Sequence, residues 1–209
     1  MERQQKPKEI SDIMWVEKYR PTRLDQIINQ KEIVKGLENL LKKPNELPHL
    51  LFTGSAGIGK TTTALCLARQ ILGENWKRDT LELNASDERG IKMVRERVKE
   101  FASIMKLSLN QDVDEKPFKI IILDEADEMT SEAQTALRRI IEDSAKTTRF
   151  IFICNYLSHI IEPIQSRCVI FRFSKVSEDE IVEYLKNICI NEGVKAEEKA
   201  LRKIYEHSN

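Results

Sequence analysis

Residues 54 to 61, Gly54-Ser55-Ala56-Gly57-Ile58-Gly59-Lys60-Thr61, match the phosphate-binding pattern G-x-x-x-x-G-K-[ST] at every fixed position. Each residue type has its own task. The glycines permit a tight turn that aims backbone N–H groups at phosphate, Lys60 neutralises the β and γ charges, and Thr61 offers a hydroxyl to Mg²⁺. The expected nucleotide-binding stretch is therefore Gly54, Ser55, Ala56, Gly57, Ile58, Gly59, Lys60, Thr61 and Thr62, with ATP and Mg²⁺ as ligands. A second segment, Ile120-Ile121-Ile122-Leu123-Asp124-Glu125, is an apolar run ending in two carboxylates. Asp124 is placed to hold Mg²⁺, directly or through water, and Glu125 to orient and activate the attacking water. The letters Asp124-Glu125-Ala126-Asp127 also occur in DEAD-box helicases, but the other motifs of that family are absent here. Asn155 follows a third apolar run, Phe150 to Cys154. It reads either as a hydrogen-bonding partner of the γ-phosphate or the water, or as an ordinary turn residue.

These residues act together only if the elements around them bring them to one place. Pro48 to Thr53 suits a buried parallel strand, and Thr61 to Leu72 carries Leu65, Ala68 and Leu72 at helical spacing. Strands are also expected at Thr80 to Asn84, Phe118 to Leu123, Arg149 to Asn155 and Val169 to Phe173, with helices at Ile91 to Met105 and Ser131 to Asp143. A helix carrying Ile33, Leu37, Leu40 and Leu41 is expected to be capped by Asn29 with Glu32 and ended by Pro44. Alternating strands and helices predict an α/β fold, a parallel sheet flanked by helices, with ligands beyond the carboxyl ends of the strands. After Phe173 only helical patterns follow, opened by a capping box at Ser177 and Glu180. The expected organisation is a flexible segment 1–14, an ATPase domain 15–173 and the start of a helical lid at 174–209.

Composition narrows the class. The 209 residues carry 34 basic and 34 acidic side chains, so contact with nucleic acid has to come from a local patch. No apolar run approaches ~18 residues, and the polar start Met1 to Lys6 lacks the apolar stretch of a signal peptide. A soluble intracellular protein without a membrane partner is expected, cytoplasmic in an archaeon or nuclear in a eukaryote. Cys66, Cys154, Cys168 and Cys189 form no C-x-x-C pair and read as reduced core residues.

Seven segments appear in order: Trp15 to Pro21, the phosphate loop, Leu83 to Gly90, Asp124-Glu125, Ala136 to Arg139, Cys154 to Tyr156, and Glu162 to Cys168. Together they make the chain resemble the small subunits of replication factor C, the AAA+ ATPases of clamp loaders, in the archaeal or eukaryotic form that lacks the bacterial zinc-binding cysteines. The resemblance implies an adenine pocket lined by Val16, Tyr19, Arg20 and Pro21, and a sensor 1 role for Asn155. It also implies an arginine finger at Arg167 that completes the neighbouring subunit's site in trans. It further implies a hetero-oligomer, a pentamer of a large subunit and small subunits, acting on a sliding clamp of the PCNA type and on primer-template DNA in DNA replication. The loop departs from the family, which has two prolines and a threonine here; the change loosens it while keeping the phosphate-contacting groups. In the family a sensor 2 arginine and a carboxy-terminal collar lie past the position of Asn209, so a fragment or a split gene product is expected. Two other readings stay open: another AAA+ DNA motor such as a branch-migration helicase, and a scaffold subunit that binds ATP without turnover.

On the helix expected from Ile91, apolar Val94, Val98, Phe101 and Met105 share one face, and Lys92, Arg95, Lys99 and Lys106 an adjacent one. In clamp loaders this helix and the one from Ser131 track the duplex backbone, which places Arg89, Lys92, Arg95 and Lys99 as DNA contacts. Reversing Lys92, Arg95 and Lys99 to Glu is expected to weaken DNA binding of the assembly equally for all sequences and to flatten its salt dependence. Binding titrations across a salt series check this, and an unchanged slope would return the stripe to a solvated face.

Overall fold

The computed structural model describes residues 14–86, 96–102 and 118–208. Five strands, β1 (His49–Thr53), β2 (Thr80–Asn84), β3 (Lys119–Asp124), β4 (Thr148–Cys154) and β5 (Cys168–Arg172), form one sheet in the order β2-β3-β4-β1-β5. Every neighbouring pair is parallel, so all five carboxyl ends lie on one edge. The crossover leaving β1 runs one way along the sheet and that leaving β4 the other, which opens a crevice between these adjacent strands.

Strand residues alternate between two apolar layers, which is why the strands read as continuous apolar runs. Leu50, Phe52, Ile120, Ile122, Ile151 and Ile153 face helices α1 (Lys31–Leu41) and α2 (Lys60–Leu72) through Leu37, Leu67 and Ile71. Leu51, Ile121, Leu123, Phe150 and Phe152 face the other way, toward Val98 and helix α3 (Ser131–Ser144) through Leu137 and Ile141. Helices α4 (Glu178–Asn191) and α5 (Glu198–Ser208) follow, joined by Arg202 reaching Glu178 at 2.7 Å and Asp179 at 2.9 Å.

The N-cap half of the expected capping box is present: the Ser177 hydroxyl accepts from the Glu180 N–H at 3.4 Å, while the Glu180 carboxylate accepts from that hydroxyl at 2.6 Å in place of the Ser177 backbone N–H. The cap expected at Asn29 is not. Helix α1 starts at Lys31 behind Gln30, with no side-chain cap, and Asn29 takes a left-handed conformation with φ 56°. Asn tolerates that region, and a tertiary acceptor claims its amide: Nδ2 donates to the Lys175 carbonyl at 3.1 Å, beside Gln30 Nε2 on Ser174 O at 2.8 Å. A one-turn helix at Trp76–Asp79 also lay outside the sequence expectation. Of the helix expected at Ile91 to Met105, residues 96–102 are described and helical; Val98 is buried and Lys99 exposed. Arg89, Lys92, Arg95 and Lys106 lie outside the described residues. All four cysteines are free thiols, Cys66 and Cys154 buried and the other two half-buried. No helix among the described residues is long and apolar enough to cross a membrane.

His49, at the start of β1, accepts the Phe150 N–H at Nδ1 (3.2 Å), and burial followed by the nearby Arg149 charge holds its pKa down at about 4. An unfolded histidine titrates near ~6.5, so between these values the unfolded chain binds more protons and stability falls as pH drops through the window. The protein is expected to lose about 2 kcal/mol more than His49→Gln between pH 7 and pH 5, measured by denaturant unfolding.

Candidate functional site

The phosphate loop leaves β1 and turns directly into α2. Gly54 has φ 147° and is pressed so closely that an added Cβ would lie 2.6 Å from the Phe173 carbonyl oxygen. Gly59, at φ 89°, is the left-handed residue from which Lys60 starts the helix. Lys60 is 6% exposed. Its ammonium donates to the carbonyls of Gly54 and Ser55, both at 2.7 Å, and to Asn155 Oδ1 at 3.0 Å. Burial lowers its pKa, and Asp124 is the largest influence in the opposite direction.

Thr61 Oγ1 donates to Asp124 Oδ2 at 2.5 Å, bringing the first turn of α2 to the end of β3. The other carboxylate oxygen of Asp124 accepts the Glu125 N–H at 2.8 Å, and Glu125 itself sits in the left-handed region at φ 51°. Gly57, Lys60, Thr61, Thr62, Asp124, Glu125 and Asn155 thereby border one cleft of about 310 Å³ at the carboxyl edge of the sheet. It combines a cation, a helix N-terminus and two adjacent carboxylates, an arrangement suited to a phosphate-bound hard cation and an activated water. The Thr61 hydroxyl and the Asp124 carboxylate lie side by side and are hard oxygen donors of the kind Mg²⁺ accepts. A larger cleft of about 680 Å³ runs between 96–102 and α3, bordered by Lys99, Thr135, Arg139 and Asp143, but lacks this convergence.

Other expected residues lie elsewhere. Val16 is 69% exposed, and Val16, Tyr19, Arg20 and Pro21 do not border the phosphate cleft. Their segment instead straps α2 to α4: the Cys66 thiol donates to the Pro21 carbonyl at 3.2 Å, and the Tyr184 hydroxyl to the Tyr19 carbonyl at 2.7 Å. Glu192 accepts from Tyr19 Oη at 2.8 Å and pairs with Lys18 at 2.6 Å, contacts that hold its carboxyl below the usual range. Arg167 is held within the chain by the Glu142 carboxylate at 2.5 Å and the Pro163 carbonyl at 2.6 Å, outside the cleft. Burial pushes the Cys66 thiol up to about 11 and the Cys168 thiol to about 12, which leaves both protonated and unreactive at neutral pH. Sequence reasoning missed Glu142 and Glu192: helical spacing marks Glu142 only as an i,i+4 partner of Arg138, and its contact with Arg167, like those of Glu192 with Lys18 and Tyr19, joins residues far apart in the chain.

The sheet order and this cleft define an AAA+ P-loop ATPase domain. A family model described as DNA polymerase III, delta subunit, matches residues 29–177, more than half of the chain. The chain belongs to that family. It is 53% identical over 199 residues to the replication factor C small subunit of Aeropyrum pernix, an alignment covering 95% of this chain and 59% of that protein. It is 51% identical over 199 residues to that of Thermofilum pendens, again 95% and 59%. The chain thus spans less than two thirds of the curated relatives it matches. Among solved structures, the Thermotoga maritima RuvB Holliday junction branch migration motor aligns with a TM-score of 0.65 at 20% identity, over 88% of this chain and 58% of that one. A mutant of the same RuvB reaches 0.69 at 18%, over the same shares. At such identities the likeness is one of fold.

Lys60→Ala is expected to reduce ATP affinity by about a hundredfold, since a charge-assisted contact to ground-state phosphates is lost. Glu125→Gln is expected to keep that affinity and lose turnover. Fluorescent-nucleotide titration and phosphate release measure the two. Equal loss of affinity in both variants would overturn the division of labour.

Proposed function

We propose that the chain is the ATP-hydrolysing part of a clamp-loader small subunit, which helps to open a ring-shaped sliding clamp and place it on primer-template DNA. The observation that carries the reading is the convergence of Lys60, Thr61, Asp124, Glu125 and Asn155 on one cleft, in a chain about half identical to replication factor C small subunits. Residues 15–173 are the ATPase domain and residues from 174 the beginning of a helical lid.

In this reading the backbone N–H groups of Gly54 to Thr62 cradle the phosphates and Lys60 Nζ exchanges its carbonyl acceptors for β- and γ-phosphate oxygens. Mg²⁺ bound with the nucleotide supplies positive charge to those oxygens, and Thr61 Oγ1 and Asp124 are the groups that would hold it. Glu125 orients the attacking water and takes up its proton, while Asn155, at the end of the neighbouring strand β4, fixes the water or the γ-phosphate. Val16, Tyr19, Arg20 and Pro21 form the adenine wall, so that the strap to α4 joins nucleotide occupancy to the lid. The partners are other small subunits and a large subunit in a pentamer, a PCNA-type clamp, and DNA held through Arg89, Lys92, Arg95 and Lys99.

Arg167 serves the neighbouring subunit. Its exposed ion pair with Glu142 is worth at most about 1 kcal/mol, so an adjacent phosphate charge can draw the guanidinium away. Such a finger contributes roughly 10³ to 10⁵ in rate in related P-loop enzymes, so the isolated 209-residue chain is expected to bind ATP and hydrolyse it slowly. Mixing provides the test in oligomeric assemblies of the subunit. Arg167→Ala subunits keep their own pocket and Lys60→Ala subunits keep their finger, so turnover is expected to reappear when two nearly inactive preparations form mixed assemblies, verified by mass. Mixed assemblies as inactive as their parents would rule out action across the interface.

A further inference from the structure

The nucleotide reading assigns no role to Asp127, the last residue of Asp124-Glu125-Ala126-Asp127. After left-handed Glu125 the chain winds a 3-10 turn, Ala126–Glu128, that buries both Ala126 and Asp127. Asp127 is 7% exposed, and its Oδ2 accepts two consecutive amides at the end of β4, the N–H groups of Asn155 and Tyr156, each at 3.0 Å. The other oxygen, Oδ1, is buried and accepts no hydrogen bond among the described residues. The side chain of Asn155 in turn meets Lys60 Nζ at 3.0 Å.

Burying a carboxylate with half of its acceptor capacity unused costs stability, and a neutral asparagine would offer the same two amides an acceptor at lower desolvation cost. Packing therefore does not account for an acid at this position. A charged acceptor holds N–H groups more strongly than a neutral one, and two consecutive amides on one oxygen fix the peptide plane that carries Asn155. The negative charge also lies close enough to Lys60 to favour its ammonium form.

We infer that Asp127 is a positioning residue for ATP hydrolysis: its carboxylate ties the turn after β3 to the end of β4 and so fixes Asn155 against Lys60 and the reacting phosphate. The inference rests on the sensor role proposed for Asn155. A misplaced hydrogen-bonding group of this kind costs about ten- to a hundredfold in rate while the phosphate loop still binds nucleotide.

The test measures turnover, ATP affinity and melting temperature for Asp127→Asn, Asn155→Ala and the double variant, in the assembly in which the chain hydrolyses ATP. Asp127→Asn is expected to lower turnover about tenfold or more with ATP affinity within about threefold of the parent. The double variant is expected to be no slower than Asn155→Ala alone, because both changes remove one interaction chain. Asp127→Glu, which keeps the charge and displaces the oxygen, is expected to show the same selective loss of turnover and serves if Asp127→Asn fails to fold. Losses that multiply in the double variant, or a fall in turnover that only follows a fall in melting temperature, would overturn the inference and leave the sensor role standing. Full turnover in Asn155→Ala would instead remove the sensor role, and this inference with it.

Discussion

An ammonium group that is almost wholly out of solvent dictates the arrangement of this molecule. Lys60 needs acceptors on every side, since a buried cation left unpaired costs several kcal/mol. It finds them on two separate elements, the loop leaving β1 and the residue just past β4. Thr61, next along the chain, adds β3 through Asp124. Three strand ends are thus held at hydrogen-bonding distance by the first two residues of one helix. The Gly54 and Ser55 carbonyls are acceptors that an anion's oxygens can replace, so the charge is already in place for phosphate.

The sheet makes this possible because every strand runs in the same direction. Its carboxyl ends share one edge, and the reversal of crossover direction between β1 and β4 leaves room for a ligand there. Two features extend from that edge. The turn after β3 returns through Asp127 to grip the amides at the end of β4. The strap of residues 15–21 bonds α2 on one side and α4 on the other, so one short segment touches both the phosphate helix and the helices after β5.

Much of this was legible without coordinates. Both apolar layers of the sheet could be anticipated, because parallel strands buried on two faces leave uninterrupted apolar runs and helices leave 3.6-residue periods. The phosphate loop and Asp124-Glu125 were legible because their chemistry demands particular residues at fixed local spacing. The Asn29 cap failed for the opposite reason: its amide had a better acceptor in Lys175, well over a hundred residues away, and local capping rules do not register such a competitor. The shift of β5 by one residue, to Cys168–Arg172, is of the same kind, since its ends are set by register against β1.

The sequence by itself determined which chemistry is present: a phosphate-binding glycine turn, a lysine, a hydroxyl and paired carboxylates, each recognisable over a few consecutive residues. Only the tertiary structure decided which of these groups meet. Asn155, which sequence leaves as a turn residue or a ligand on equal terms, meets Lys60 with its side chain and Asp127 with its amide. Arg167, one charged residue among many in the chain, proved to be held by Glu142, 25 positions earlier in sequence. The physical reason is that hydrogen bonds and ion pairs act over about 3 Å in space whatever the distance along the chain.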